Sequence, residues 1–391
     1  MSVALFRAPT RFLVDGQPPD GFRDLFAAAL DEHRFQAPLS STFAGVTLGW
    51  CLVDDALAVD FSDINGWLFN SYAVFALRVE QKRIPGAILQ PALRQAMAKW
   101  CRDNNRLRCP AAVKRELRDL VEADLLPKIL PTRATYGVVW NLTDGWVTIA
   151  STSVTRCDSF RKLFRRTFGL MLTPADPLDA VPDDAGRLAA VGEIDLVAGT
   201  VGTASEPHDD DDARCPPHVA SDFGLWLAWR AAEGRTLEDE HGTLTHWLDG
   251  RLDFRRRDEE RACVSVDGAL GPAALGALAG GAVVRRVAIV LRRADREYRV
   301  TLTGSDLARR GVRLPTMVKG GDVAEQLYEA AFLYEEMEAL LARLFTQFAR
   351  ERLAWGTQGA EAIRRWLGVE VAQAFQFDAD GQGWLFRGAA K

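Results

Sequence analysis

Residues 322–352 constrain the fold of this chain more than any other segment, because they predict one amphipathic helix of about eight turns. Its apolar residues recur at spacings of three and four, at Leu327, Ala331, Tyr334, Met337, Leu341, Leu344 and Phe348. An apolar stripe of this kind has to be buried against a sheet or against a second subunit. The fold therefore needs a large apolar surface that receives a single long helix.

Strand patterns supply such a surface and predict an α+β fold with mixed antiparallel sheets and long helices. The clearest pattern is a hairpin of residues 135–141 and 146–151, joined through Asp144-Gly145. An Asp-Gly dipeptide accommodates the positive φ that a tight hairpin turn needs. A second hairpin is predicted from residues 283–291 and 297–303.

The remaining elements are predicted from periodicity and from turn residues. Helices are expected at residues 21–33, 88–106, 111–126 and 158–168, and strands at residues 46–53, 56–61 and 67–79. Asp54-Asp55 is expected to form a hairpin turn between the first two strands, and His241 and His246 are expected in an acidic helical stretch. Residues 173–221 contain several prolines, which favour surface loops.

These patterns predict five parts along the chain. They are an N-terminal α/β region at residues 1–80, a basic helical and hairpin region at 81–172, an acidic, loop-rich insertion or linker at 173–260, a C-terminal hairpin with the long helix at 261–355, and an extension at 356–391.

Positive charge is concentrated in one stretch of the chain. Residues 78–166 contain 18 Lys/Arg and 8 Asp/Glu, whereas residues 171–260 contain 8 and 21, although the whole chain carries only −5. Segregation of this kind creates a local positive potential that attracts a polyanion. Positive charge returns at residues 285–313, with nine arginines against three acids. The sequence therefore favours nucleic acid as a partner.

Helical spacing places several of these basic residues on shared helix faces. Because the sequence contains no helix-turn-helix spacing, zinc finger or aromatic RNA-binding motif, we expect contacts with phosphates rather than with base edges. The candidate DNA-binding residues are Lys82, Arg83, Arg94, Lys99, Arg102, Arg106, Lys114, Arg115, Arg118, Lys128, Arg133, Arg161, Lys162, Arg165 and Arg166.

The motifs of common enzyme classes are missing from the sequence. It has no glycine-rich phosphate loop, no GxSxG and no HExxH, so we expect neither an enzyme nor a cofactor. His208, the acidic residues 209–212, Cys215 and His218 form one group of potential metal ligands, but the second ligand pair of a structural zinc site is missing. We therefore expect a solvated acidic loop there and no metal.

Cysteine usage and hydropathy predict the compartment. The six cysteines are scattered without a CxxC pair, which is typical of free thiols in a reducing compartment. The sequence contains no apolar run of signal-peptide length near its start and no stretch long enough to span a membrane. We expect a cytoplasmic protein that does not interact with membranes.

Two motifs in the basic region resemble a known family. The pattern R-x-E-x-K-x-x-P occupies residues 78–85, and Leu125-Leu126-Pro127-Lys128 follows the predicted helices. With the hairpin that contains Trp140, the basic helix after it and a weaker match at residues 283–350, they are similar to the recombination-associated protein RdgC family. Lys82 and Lys128 stand at basic positions of those motifs.

This resemblance implies a horseshoe-shaped subunit whose homodimer closes into a ring around duplex DNA. It also implies a nucleoid-associated protein that restrains RecA-driven recombination by occupying DNA, without sequence preference. One departure concerns ring closure: Ile129-Leu130-Pro131 stands where the family places an aromatic residue after LLP.

Two other functions remain open at this stage. A protein-interaction module would dock a partner through its acidic segment and long helix, without DNA binding. A metal-dependent nuclease would cleave DNA with an added divalent ion. Charge substitution in residues 209–212 would affect the first, and chelation would abolish the second.

Overall fold

The computed structural model describes residues 5–16, 21–38, 45–195, 200–203, 215–255, 263–267, 270–315, 322–355 and 360–368. These residues form two compact units. Unit 1 contains mainly Pro9–Thr173, and unit 2 contains Phe6–Ala8 and the described residues from Pro174 onward. Both units combine helices with antiparallel strand pairs, which confirms the α+β prediction.

Unit 1 is built on a seven-stranded sheet of order β2-β4-β5-β6-β1-β7, with β3 paired to β4. Its strands are β1 Thr10–Asp15, β2 Gly45–Cys51, β3 Leu68–Phe69, β4 Tyr72–Lys82, β5 Thr132–Asn141, β6 Trp146–Ile149 and β7 Met171–Pro174. The hairpin predicted around Asp144-Gly145 is confirmed, since β5 pairs with β6 and Gly145 has a φ of 66°.

The four helices predicted in this part of the chain are confirmed. They are α1 Phe22–Glu32, α2 Gly86–Asp103, α3 Ala111–Leu125 and α4 Val154–Phe168. Helices α1 and α4 pack against each other and contribute Phe26, Phe160 and Phe164 to an aromatic core with Trp50 and Trp140. The core is also tied by a hydrogen bond, in which Trp50 Nε1 donates to Thr167 Oγ1 at 2.8 Å. Helix α4 is therefore fixed on the sheet.

Helices α2 and α3 are attached differently. They pack against each other, and α3 continues into the short 3-10 turn Leu126–Lys128. Only Leu89 and Leu93 of α2 are buried, and none of the side chains of α3, all of which are described, is buried. Most of the surface of this helix pair is therefore open to a partner.

Two strand predictions in unit 1 are wrong. Residues 56–61 do not pair; instead the Leu52 N–H donates to Ala58 O at 2.9 Å and the Asp55 carboxylate accepts from the Leu57 N–H. Residues 67–79 contain two strands, because Asn70 turns the chain in the left-handed region at a φ of 52°. Asparagine tolerates that region, and an apolar run gives no sign of such a turn.

Unit 2 contains a six-stranded sheet of order β10-β11-β13-β14-β15, with β12 paired to β11, and a separate pair β8-β9. Its strands are β8 Val191–Asp195, β9 Thr200–Thr203, β10 Leu237–Asp239, β11 Gly242–Arg255, β12 Cys263–Asp267, β13 Val283–Arg293, β14 Arg296–Thr303 and β15 Ala308–Arg313. Its helices are α5 Ala185–Ala190, α6 Pro217–Ala232, α7 Pro272–Ala279, α8 Val323–Ala354 and α9 Glu361–Leu367. The second predicted hairpin, β13 and β14, is confirmed.

The long predicted helix is α8, and it is also confirmed. Asp322 caps its first turn by accepting from the Glu325 N–H at 2.8 Å. All seven residues of the predicted apolar stripe are buried. The helix packs against α5, α6 and the 3-10 turn Pro177–Ala180, so the stripe is buried within unit 2.

Residues 217–255 form a helix followed by two strands, whereas the sequence predicted loops and an acidic helix there. Helix α6 is buried on nearly all sides, so its apolar residues form no one-sided stripe that periodicity would detect. The prediction of a helix around His241 and His246 is wrong, because these residues belong to the hairpin of β10 and β11. His246 lies in β11 beneath α6, with Nε2 3.1 Å from Leu227 O. The five-part division of the chain stays a prediction.

Candidate nucleic-acid interface

The basic region begins with a buried ion-pair cluster on β4 and β5. Arg78 donates to Glu80 Oε1 at 2.6 Å and to Ala56 O at 2.8 Å, and Arg133 Nε donates to the same Glu80 oxygen at 2.7 Å. Burial raises the pKa of Glu80, but the hydrogen bonds from both guanidinium groups outweigh it and hold this pKa below its usual range. Two of the residues in the R-x-E-x-K motif therefore stabilise the sheet.

Two further basic residues lie at or just after the end of β4, before the start of α2. Lys82 is half-buried and Arg83 is exposed, and Pro85 occupies the position before the first residue of α2. Arg133 keeps 40% of its side chain exposed while it is paired with Glu80. Arg83 is therefore more accessible to a ligand than Lys82, and Arg133 is partly occupied by its ion pair with Glu80.

Helix α2 presents its basic residues away from its buried side. Arg94, Lys99 and Arg102 are exposed, and Leu89 and Leu93 are buried. At about 100° per residue, the basic arc lies opposite the two leucines. The face that is free to meet a ligand is therefore the positive one.

The second helix of the pair continues this surface with exposed Lys114, Arg115 and Arg118. Arg118 pairs with the half-buried Glu122, and Lys128, in the turn after α3, pairs with the exposed Asp124, both at 2.7 Å. Exposed i,i+4 pairs contribute little to stability, so these cations can exchange their carboxylates for phosphates. Six candidates of the helix pair have no acidic partner within 4 Å among the described residues: Arg94, Lys99, Arg102, Arg106, Lys114 and Arg115.

Helix α4 carries the second basic surface. Lys162, Arg165 and Arg166 are exposed and Arg161 is half-buried, 4.0 Å from Asp158. These four residues lie on the side of the helix opposite Phe160, Leu163, Phe164 and Thr167, which face the core. Arg165 and Arg166 also sit in the last turn, where positive charge favours the helix C-terminus. Part of this charge therefore has a local structural role.

The structure divides the fifteen predicted residues between two parts of unit 1. One part is the end of β4, the start of β5 and the α2-α3 pair, and the other is α4 on the sheet. Sequence reasoning missed Arg108 and Arg156, because the first lies between helices and the second lies before the predicted start of α4. Arg108 is exposed, and the same local excess of charge that selected Arg106 would have selected it too.

The positive charge at residues 285–313 belongs to unit 2 and is largely neutralised there. Six of these nine arginines, all in the described part of the chain, form ion pairs within unit 2. The pairs are Arg286–Asp253, Arg292–Glu297, Arg293–Asp239, Arg296–Glu336, Arg299–Asp249 and Arg309–Glu338. These arginines therefore contribute less to a surface that binds a polyanion than their number implies.

The described residues provide neither a cluster of metal ligands nor a membrane-spanning helix. The described residues contain no group of three or more His, Cys, Asp or Glu that could hold a metal ion. His208 and the acidic residues 209–212 lie outside the described residues, and burial raises the pKa of the Cys215 thiol to about 12. In the part of the chain that the structure describes, no helix has the length and apolar character needed to cross a membrane.

Part of the chain resembles a known protein family. Residues 25–189 match the protein-family model RdgC, described as "Putative exonuclease, RdgC". No curated protein matches the chain. The matched residues include most of α1, the whole of α2 to α4 and all fifteen candidate DNA-binding residues.

Proposed function

We propose that this chain, whose residues 25–189 match the RdgC family model, is a sequence-nonspecific duplex-DNA-binding protein that acts in recombination. The observation that carries the proposal is the pair of basic surfaces on α2-α3 and α4. On α2 and α4 the basic residues lie opposite the buried face of the helix, and six cations of the α2-α3 pair have no acidic partner within 4 Å among the described residues.

The physical mechanism is electrostatic. Lysine and arginine side chains that approach DNA phosphates release condensed counterions, and this release supplies most of the free energy of nonspecific binding. Unit 1 offers no aromatic or amide-rich helix face among its described residues that would read bases in a groove. Binding is therefore indifferent to sequence and weakens steeply with salt.

Occupation of DNA explains a role in recombination. In the proposed form the protein is a homodimer, closed into a ring around the duplex, and ring topology slows dissociation. A DNA-bound dimer then blocks the access of RecA to the same duplex. A protein of this kind resides on the nucleoid and needs no cofactor and no catalytic group.

The test is binding of a labelled duplex, measured by fluorescence anisotropy across a salt series, with the oligomeric mass determined in parallel. We expect a dimer that binds with a dissociation constant of about 1 µM or lower at low salt, equally for unrelated sequences. Inhibition of RecA strand exchange at matching concentrations is expected as well. Failure to bind at low salt would overturn the proposal.

An exonuclease is the second candidate function, favoured by the description of the family model. The same labelled duplex distinguishes it. Shortening of the DNA on addition of Mg²⁺ or Mn²⁺, abolished by a chelator, would establish cleavage. We expect the duplex to remain intact while it is bound.

A further inference from the structure

The turn between α2 and α3 exposes one leucine completely. Leu107 has a relative accessibility of 102%, at the tip of the helix pair. It stands between Arg106 and Arg108, both exposed. The other exposed leucines in the described part of unit 1, Leu25, Leu57, Leu120 and Leu130, have no arginine beside them in the sequence. Leu107 thus combines an apolar tip with flanking positive charge.

The turn has a defined, hydrogen-bonded conformation. The Arg106 N–H donates to Cys101 O at 2.9 Å, and the Asn105 N–H donates to Arg102 O at 3.2 Å. Asn105 adopts the left-handed region with a φ of 49°, and the Asn104 side chain caps Trp100 O at 2.9 Å. This geometry directs the chain outward from the end of α2, so Leu107 stands away from the helix pair.

Positive charge surrounds this apolar tip. Arg102, Arg106 and Arg108 are exposed and have no acidic partner within 4 Å among the described residues. Asp103 is the one acidic residue between Arg94 and Lys114. The charge of the tip is therefore complementary to a polyanion, and a second copy of this chain would bring the same positive tip against it.

We propose that Leu107 is a wedge that inserts between base steps of a DNA duplex and kinks it. This inference rests on the proposed function. Proteins that kink DNA from the minor groove insert an apolar side chain, leucine among them, and hold the groove with arginine or asparagine. Asn105 and Arg106 on one side of Leu107 and Arg108 on the other supply those groups.

The wedge makes two properties separable. Phosphate contacts of the helix pair determine affinity and its salt dependence, whereas Leu107 determines the shape of the bound DNA. Flexible pyrimidine–purine steps unstack at the lowest cost, so the kink forms preferentially at TA and CA steps. The protein then has a weak preference of structural origin within otherwise nonspecific binding.

The experiment measures the end-to-end distance of a short duplex that carries one fluorophore at each end, with a TA step at its centre. At saturating full-length protein, we expect energy transfer to rise for the wild type and to stay near the free-DNA value for Leu107→Ala. Leu107→Met, which keeps an apolar wedge, is expected to restore the rise. Leu57→Ala, an exposed leucine outside the basic surfaces, is the matched control and should behave as wild type.

Affinity is measured on the same samples by anisotropy. We expect Leu107→Ala to weaken binding by roughly 3- to 10-fold, the range for loss of part of one buried leucine, with an unchanged salt slope. Bound wild-type DNA without a rise in energy transfer would overturn the wedge while DNA binding stands. Absence of any binding by the wild type would overturn the proposed function itself.

A role of the tip in protein association is a further outcome of this test. If Leu107→Ala changed the oligomeric mass at equal protein concentration, the tip would be an interface between protein chains. That result would overturn the wedge, whatever the duplex measurement gives. An unchanged mass with lost bending supports it.

Discussion

The salt dependence of DNA binding tests the α2-α3 surface most directly. The variant replaces Lys99, Arg102, Lys114 and Arg115 with glutamine. All four side chains are exposed and lie away from Leu89 and Leu93, and glutamine has a helix propensity close to that of lysine and arginine. The fold should therefore be unaffected, which a thermal melt of the variant checks.

The size of the effect follows from counterion release. Each phosphate contact contributes about 0.9 to the slope of log K against log salt concentration, so four lost contacts lower the slope by about 3.6. Between 50 and 200 mM salt, the wild type then loses about 150-fold more affinity than the variant. Anisotropy titrations at four salt concentrations resolve a change of this size.

A matched control removes the same number of positive charges from unit 2. Arg286, Arg292, Arg296 and Arg299 are replaced with glutamine; each is paired with an acidic residue there. We expect the slope of this control to stay within one unit of the wild type. If both variants lowered the slope equally, net charge alone would govern binding and the assignment of the surface to α2-α3 would be refuted. An unchanged slope in the first variant would refute it as well.

Three further predictions concern buried groups inside unit 1 or inside unit 2. Glu80→Gln leaves the buried Arg78 without its carboxylate and should lower the free energy of unfolding by about 3 kcal/mol, measured by urea titration, whereas no loss would mean that the cluster is not structural. Burial lowers the pKa of His246 from its usual value of 6.5 to about 4, so between these values the unfolded chain binds a proton that the folded chain excludes. Stability should therefore fall as pH is lowered from 6.5 to 4, by up to about 3 kcal/mol, and His246→Gln should lack this part of the pH dependence. In Gly49→Ala the new Cβ would lie 2.5 Å from Phe35 Cα, so we expect a loss of about 2 kcal/mol or more, while Gly66→Ala, with no neighbour within 4 Å, should melt near the wild-type temperature.

The sequence by itself determined the elements whose signals are local. The stripe of α8, the Asp-Gly turn between β5 and β6 and the helices α1 to α4 depend on neighbours within a few residues, so periodicity and turn chemistry were sufficient. The R-x-E-x-K motif and the net charge of residues 78–166 likewise located the family-matched region.

Only the tertiary structure decided which charges are available. Arg293 pairs with Asp239 and Arg309 with Glu338, although these partners are distant in the sequence, and Glu80 is shared by Arg78 and Arg133 across two strands. A count of basic residues cannot contain this information, because ion pairing depends on positions in space. Helix α6 was missed for a related reason: it is buried on nearly all sides, and a helix without a polar face has no periodic signal. The exposure of Leu107 at the tip of the helix pair likewise appears only when the chain is folded.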